Sequence, residues 1–196
     1  SRFGSEGKLV EFDYDAYHLR LIADKVEYEF PEGSVHEHMA KYYNCDYEES
    51  KRRSFQYLYG GIPIEVWQLN PFFSSVYDYV NNLWNIYKEE HFIKSDIYSR
   101  EIKGSNFNAN KLFNYYIQLL ETETNVVVIK KVRQLMNKYK SKFILYSYDS
   151  FLFDMHIEDG LPFLKELKDV LENNKFPTKV AWGKNYDDLV DITEKF

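Results

Sequence analysis

Residues 143–155, Phe-Ile-Leu-Tyr-Ser-Tyr-Asp-Ser-Phe-Leu-Phe-Asp-Met, set two apolar runs around a three-residue polar centre, Tyr148-Asp149-Ser150. β-Branched and aromatic residues on both sides of a short acidic break read as a tight, buried β-hairpin with Asp149 at its tip. Burying an unpaired carboxylate is costly, so Asp149 stays wet, shifts its proton affinity or binds a cation. The plain reading of a lone turn aspartate is a solvated turn residue. A second strand shifts that balance. Lys8-Leu-Val-Glu-Phe-Asp13 also reads as a buried strand ending in an aspartate, with a helix almost immediately after it. If the two strands are neighbours, Asp13 and Asp149 converge, and sharing a proton or a divalent cation relieves their repulsion. Spacing alone leaves that pairing open.

The rest of the chain supplies mostly helices. Residues 15–25 carry Leu19, Ile22 and Ala23 at helical spacing. Ser34 and Glu37 have capping-box spacing for a helix to about Tyr43, and Asp46 is placed to cap another that ends near Gly60-Gly61. Pro63 starts a helical turn, and Pro71 opens a long amphipathic helix to about Glu90. Residues 92–97 and 100–103 suggest a second hairpin. Residues 109–139 suggest a long helix, although Val126-Val-Val-Ile129 locally favours strand. Residues 159–173 read as a helix packed through Leu161, Leu164, Leu167 and Leu171, and residues 178–182 as a last strand. The expected class is α+β, with three strands sharing one sheet.

Composition narrows the function classes. At 44% hydrophobic and 29% charged, the 196-residue chain is globular, and 18% aromatics give a thick core or stacking surfaces for bases. A single cysteine, Cys45, excludes a disulfide framework and a multi-cysteine zinc site, and suits a reducing compartment. No apolar run is long enough for a membrane span and no signal pattern opens the chain, so the expected setting is intracellular. A net charge of −6 weighs mildly against nucleic-acid binding, but the basic stretches at 51–53 and 130–142 leave room for a basic groove on an acidic body. His36 and His38, two residues apart, point away from each other on a helix and have no partners completing a zinc site. Cys45 has no local support as a nucleophile.

Two further patterns carry chemistry. Lys51, Phe55 and Tyr59 form one stripe along a helix, an ammonium suited to a triphosphate followed by two rings suited to stacking. An amphipathic helix with a snorkelling lysine is the plainer reading of such a stripe. Asn114 and Gln118 share a helix face and suit minor-groove acceptors common to all base pairs. Polar residues on a surface helix are the plainer reading there.

In order and spacing these stretches resemble the motifs of the family A DNA polymerases. Asp13-Tyr14-x-x-x-His18-Leu19-Arg20 is similar to the family's Asp-Tyr-Ser-x-x-Glu-Leu-Arg. Lys51-x-x-x-Phe55-x-x-x-Tyr59-Gly60 resembles Lys-x-x-x-Phe/Tyr-x-x-x-Tyr-Gly, and Tyr148-Asp149-Ser150 sits where the family has His-Asp-Glu. Asn114-x-x-x-Gln118 resembles Asn-x-x-x-Gln on the family's long palm helix, and Gly183-Lys-Asn-Tyr-Asp187 resembles its closing Gly-x-x-Trp-Asp. The resemblance covers nearly the whole chain. It implies an antiparallel palm sheet with a helical fingers subdomain: residues 1–26 the first palm strand and motif, 27–90 the fingers, and 91–196 the palm with its long helix and catalytic hairpin.

The resemblance also implies a phage-type polymerase that adds dNTPs to a primer 3′ end on a DNA primer-template. Asp13, Asp149 and the backbone carbonyl of Tyr14 would hold two Mg²⁺ ions, with Mn²⁺ able to substitute. Lys51 would bind the incoming phosphates, Phe55 would pack on the nucleotide, and Tyr59 would stack near the templating position. Asn114, Gln118 and Tyr148 would contact primer or template. Three positions depart from the family's pattern. His18 stands where the family has the glutamate that blocks a ribose 2′-hydroxyl, and Ser150 replaces the second acid of the third motif. Tyr47 replaces an arginine for the triphosphate, a task left to Arg52 or Arg53. The resemblance implies a thumb and exonuclease-like domains ahead of Ser1, or separate subunits in their place. The alternative function is a palm–fingers remnant that binds nucleic acid or nucleotide without turnover. A third class, a metal-dependent nuclease, lacks His or Glu helpers near either aspartate.

Overall fold

A computed structural model describes residues 1–195. The chain is α+β. In chain order its main elements are β1 (Gly7–Tyr14), α1 (Tyr17–Lys25), α2 (Val35–Tyr43), α3 (Tyr47–Gly60), α4 (Ile64–Leu69) and α5 (Pro71–Glu90). Then come β2 (Ile93–Lys94), β3 (Glu101–Ile102), α6 (Ala109–Met136), β4 (Lys142–Ser147), β5 (Ser150–His156), α7 (Gly160–Glu172), β6 (Thr178–Gly183) and β7 (Val190–Asp191). These fall into two compact units, a sheet unit of Ser1–Tyr17 with the chain from Thr124 onward, and a helical unit of His18–Glu123.

In the sheet unit, five strands run antiparallel in the order β4-β5-β1-β6-β7. Alternation dictates which side of β1 faces inward: Val10, Phe12 and Tyr14 are buried, while Glu11 and Asp13 stand on the opposite face. The inward rings meet edge to face, Phe12 on Phe153 at 5.9 Å and Tyr14 on Phe151 at 5.9 Å, a favoured aromatic arrangement. Helix α7 brings Phe163, Leu164, Leu167 and Leu171 into the same core, and the Tyr14 hydroxyl donates to the Leu171 carbonyl at 2.7 Å.

Three expectations need correcting here. The sheet has five strands rather than three, because both arms of the hairpin belong to it and the two-residue β7 adds an edge too short to leave a periodic signal. Only β5 of the hairpin is buried. β4 is an edge strand with a register shift between Phe143 and Leu145, and it leaves Ile144 and Leu145 half exposed. On α7, Leu161 is 52% exposed and Phe163 takes the inward place expected for it.

The helical unit follows its caps. Ser34 accepts from the Glu37 amide and Asp46 from the Glu49 amide, opening α2 and α3 where the sequence suggested. Asn70 caps α5 with Pro71 at its first turn. Helix α6 continues through Val126-Val-Val-Ile129 because Val128, Val132 and Leu135 form a buried stripe, which outweighs the local strand preference.

The hairpin turn is tighter than the sequence indicated. Ser147 pairs directly with Ser150, so the turn has two central residues, Tyr148 and Asp149, and Ser150 already belongs to β5. Tyr148 takes the positive φ (53°) that such turns require, with its side chain 79% exposed. A tyrosine there is strained. Tyr148→Gly should therefore be at least as stable as the native chain, whereas Tyr148→Val should lose about 1–2 kcal/mol because a β-branched residue fits positive φ worst. Urea unfolding midpoints read both outcomes.

Candidate active site

In the sheet unit, pairing between β1 and β5 runs from Gly7↔His156 to Asp13↔Ser150. One step further on, the Tyr14 amide donates to the Asp149 carbonyl at 2.9 Å. Asp13 near the end of β1 and Asp149 in the turn that opens β5 therefore sit at the same end of this strand pair, a placement that spacing alone left open. Asp13 is partly exposed and Asp149 exposed, so both carboxylates are reachable from solvent.

Buried Asn125 of α6 fixes the turn. Its Nδ2 donates to the Tyr148 carbonyl (3.0 Å) and the Tyr146 hydroxyl (3.2 Å), while its Oδ1 accepts from the Tyr17 hydroxyl (2.7 Å). With the Tyr14–Asp149 bond, this over-determines the strained Tyr148 and holds Asp149 in place. Around Asp13 lie Ser150 on one side and Lys179 on the other, both its register partners. The Lys179 ammonium pairs with Asp15 at 3.1 Å. Ser150 Oγ donates to Glu11 Oε1 at 3.3 Å, and the Tyr186 hydroxyl donates to the same oxygen at 2.9 Å. That bond, with the charges of Glu11 and Asp13 behind it, pushes the Tyr186 phenol up.

The helical unit carries the Lys51–Tyr59 stripe as expected. On α3 the Phe55 and Tyr59 rings lie parallel, 5° apart in plane with centroids at 6.0 Å. Among the described residues Lys51 is exposed and pairs with no carboxylate. Its basic neighbours are engaged: Arg52 makes a two-pronged contact with Glu49 (2.7 Å each), and Arg53 reaches the same carboxylate at 2.6 Å. Those hydrogen bonds, Arg52's first, hold the Glu49 carboxyl down at about 2.

The C-terminal carbonyls of α3 are satisfied from α6, Tyr59 by Asn114 Nδ2 (2.9 Å) and Gly60 by Asn110 Nδ2 (3.0 Å). Gly61 follows at φ 108°, and a β-carbon there would meet Asn110 Nδ2 at 2.5 Å, so only glycine fits. Asn114, expected at the primer, thus braces the stripe with its amide nitrogen, while Gln118 is exposed. His18 bonds through Nδ1 to the Tyr59 hydroxyl and through Nε2 to Glu121 at 2.8 Å.

Among solved structures, this chain is similar to the POL domain of Pol1 from M. smegmatis in complex with DNA primer-template and dNTP, with a TM-score of 0.74 at 16% sequence identity. The fold is shared with a polymerase domain. The likeness covers 92% of this chain and 40% of the Pol1 chain. No family model and no curated protein matches the sequence. No helix among the described residues is long and apolar enough to cross a membrane.

Among the described residues no group of three or more His, Cys, Asp or Glu side chains is disposed to hold a metal. Asp13 and Asp149 offer oxygen donors alone, the donor type that Mg²⁺ takes, as one or two carboxylates, together with waters and substrate phosphates.

Sequence reasoning missed Glu11, Asn125, Lys179 and Glu121. Two left a signal. Glu11 stands two residues before Asp13 and so shares its strand face, and Glu121 stands seven after Asn114 and so continues its helix face. Asn125 and Lys179 left none, because their roles exist only through tertiary contacts.

Asn125→Ala removes three hydrogen bonds at the hairpin, and should cost about 1–3 kcal/mol in urea unfolding. Glu49 offers a pH test. Its carboxyl is depressed from an ordinary 4.5 to about 2, so its contribution is present above 4.5 and lost as pH falls through that interval. Thermal midpoints of native chain and Glu49→Gln, followed by circular dichroism, should differ near neutral pH and converge by about pH 2.

Proposed function

We propose that the chain is the palm and fingers part of a family A-like, phage-type DNA polymerase that adds dNTPs to a primer 3′ end as a template directs. One observation carries this reading: strand-end Asp13 and turn Asp149 are brought to one end of β1 and β5, on a fold shared with a polymerase domain. The Pol1 neighbour was solved with primer-template and dNTP, which supports DNA and nucleotide as ligands here.

Asp13, Asp149 and the Tyr14 carbonyl would hold two Mg²⁺ ions, for which Mn²⁺ would substitute. When bound, such ions lower the pKa of the primer 3′-hydroxyl and neutralise the triphosphate and the leaving pyrophosphate. Lys51, exposed and unpaired among the described residues, would bind the triphosphate. Arg52 would join it only by exchanging Glu49 for phosphate. Phe55 and Tyr59 would present their parallel rings to the nucleotide base and the templating position, with His18 beside the sugar. Gln118, Asn114 and Tyr148 would meet the primer terminus, Tyr148 through its exposed ring at the hairpin tip. Helix α3 would be the element that closes over a correct pair. A thumb and exonuclease-like domains, on a longer chain or as separate subunits, would complete the grip on DNA.

One observation favours a second reading, binding without turnover. Ser150 directs a hydroxyl, not a carboxylate, toward Glu11 on the face of β1 that also carries Asp13. A labelled primer-template separates the readings, because the label either lengthens or is bound unchanged. With Mg²⁺ and dNTPs the native chain should extend the primer, while Asp13→Ala and Asp149→Ala should each be slowed at least about a hundredfold. Chelation by EDTA should stop extension. Equal extension by native chain and both variants would overturn the assignment.

A further inference from the structure

The sheet unit holds a cavity at the end of β1 away from Asp13. Lys8, which lines it, stands five residues before Asp13 on the strand, roughly 16 Å along its axis. The cavity measures about 440 Å³. That lies within the range of small-molecule sites, roughly 300–1,000 Å³. It sits between the inward face of the sheet and the first turn of α7, with buried Met155 of β5 and Leu164 of α7 in its wall. Ile157 and Leu161 also line it, and both are more than half exposed, at 60% and 52%. Single exposed apolar side chains are ordinary, but two beside an apolar hollow make a continuous apolar surface. Cavities of that kind stay dry when empty and take apolar guests.

Charge sets this cavity apart. Lys8 and Lys195 both line it, and their ammonium groups lie 3.7 Å and 5.4 Å from the centroid of the same Trp182 ring. No Asp or Glu is among its lining residues, and neither lysine pairs with a carboxylate among the described residues. A lone lysine laid over an apolar side chain is ordinary snorkelling. Two on one ring, on a chain of net charge −6, form a cationic rim to an apolar hollow. The complement of such a site is an anion with an apolar tail. Apart from Trp182, already faced by two ammoniums, the apolar lining is aliphatic, which favours a flexible chain over a flat aromatic acid.

We propose that this cavity binds an unbranched aliphatic carboxylate, its tail against Met155, Leu161 and Leu164 and its head group at Lys8 and Lys195. The inference does not depend on the polymerase reading, because the site uses none of the residues assigned there.

Isothermal titration calorimetry on the whole chain at pH 7.5 tests it, with hexanoate, octanoate and decanoate below their micelle concentrations. Affinity should rise about fourfold for each added CH₂, the increment for burying a methylene. Decanol should bind more weakly than decanoate, and decyltrimethylammonium more weakly still. The double variant Lys8→Met, Lys195→Met should bind decanol as the native chain does but lose the preference for decanoate. Leu161→Asp, at an exposed position that leaves the core untouched, should weaken decanoate at least about tenfold, with circular dichroism unchanged. Non-specific adsorption predicts equal heats for all these chains. No decanoate binding by the native chain at millimolar concentration, equal affinity for decanoate and decanol, or an unaltered preference in the double variant would each overturn the inference. So would a dimer of the native chain that Leu161→Asp dissociates, which would give the cavity to a second copy.

Discussion

The antiparallel ladder between β1 and β5 is the constraint on which the sheet unit depends. Its register puts Phe12 against Phe151 and Phe153 inside, and Asp13 beside Ser150 outside. A slip of one residue would turn Phe12 to water and Asp13 into the aromatic core, so the apolar face enforces the position of the carboxylate. The placement of Asp13 thus follows from packing: the rings on the other side of its strand fix the register that positions it. Asp149 needs more, because a turn has no such face. It is held by the Tyr14 amide and, through Tyr148, by Asn125.

Helix α6 explains how few residues organise so much. Polar groups along it reach other elements: Asn110 and Asn114 hold the end of α3, Glu121 holds His18, and Glu123 accepts from Ser95 and the Tyr98 amide. Tyr116 donates to Asp96, and burial, reinforced by that bond, pushes its phenol far above the ordinary value. Past Glu123 the same helix gives Asn125 to the sheet unit. A helix packed only through apolar contacts would tolerate sliding by a fraction of a turn. One that satisfies this many directional bonds has a single register against its neighbours.

Much of the fold was legible in the sequence because local rules govern it. Ser34, Asp46 and Asn70 mark helix starts through hydrogen bonds that span three residues, Pro71 marks one through its fixed φ, and Gly60-Gly61 marks a stop. The Lys51–Tyr59 stripe follows from helical periodicity alone. The misses came where neighbours decide. Nothing local tells that β4 is an edge strand, that Leu161 faces water while Phe163 faces the core, or that a two-residue strand pairs at Val190–Asp191. The basic run at 51–53 looked like one cationic patch, but Glu49 sits three and four residues before its arginines and engages both, leaving Lys51 apart.

The sequence by itself determined an aspartate at a strand end and another in a turn, and a helix carrying the ammonium–ring–ring stripe, because period and capping act within a few residues. Only the tertiary structure decided that the strand carrying Asp13 pairs with the one that leaves the Asp149 turn, that Asn125 pins the hairpin, and that Glu121 reaches Tyr59 through His18. Those relations join residues from 23 positions apart, Asn125 to Tyr148, to 103, His18 to Glu121, and further still between Asp13 and Ser150. Contacts at that distance are set by how aromatic faces pack and how buried polar groups find partners, and neither leaves a mark on local sequence.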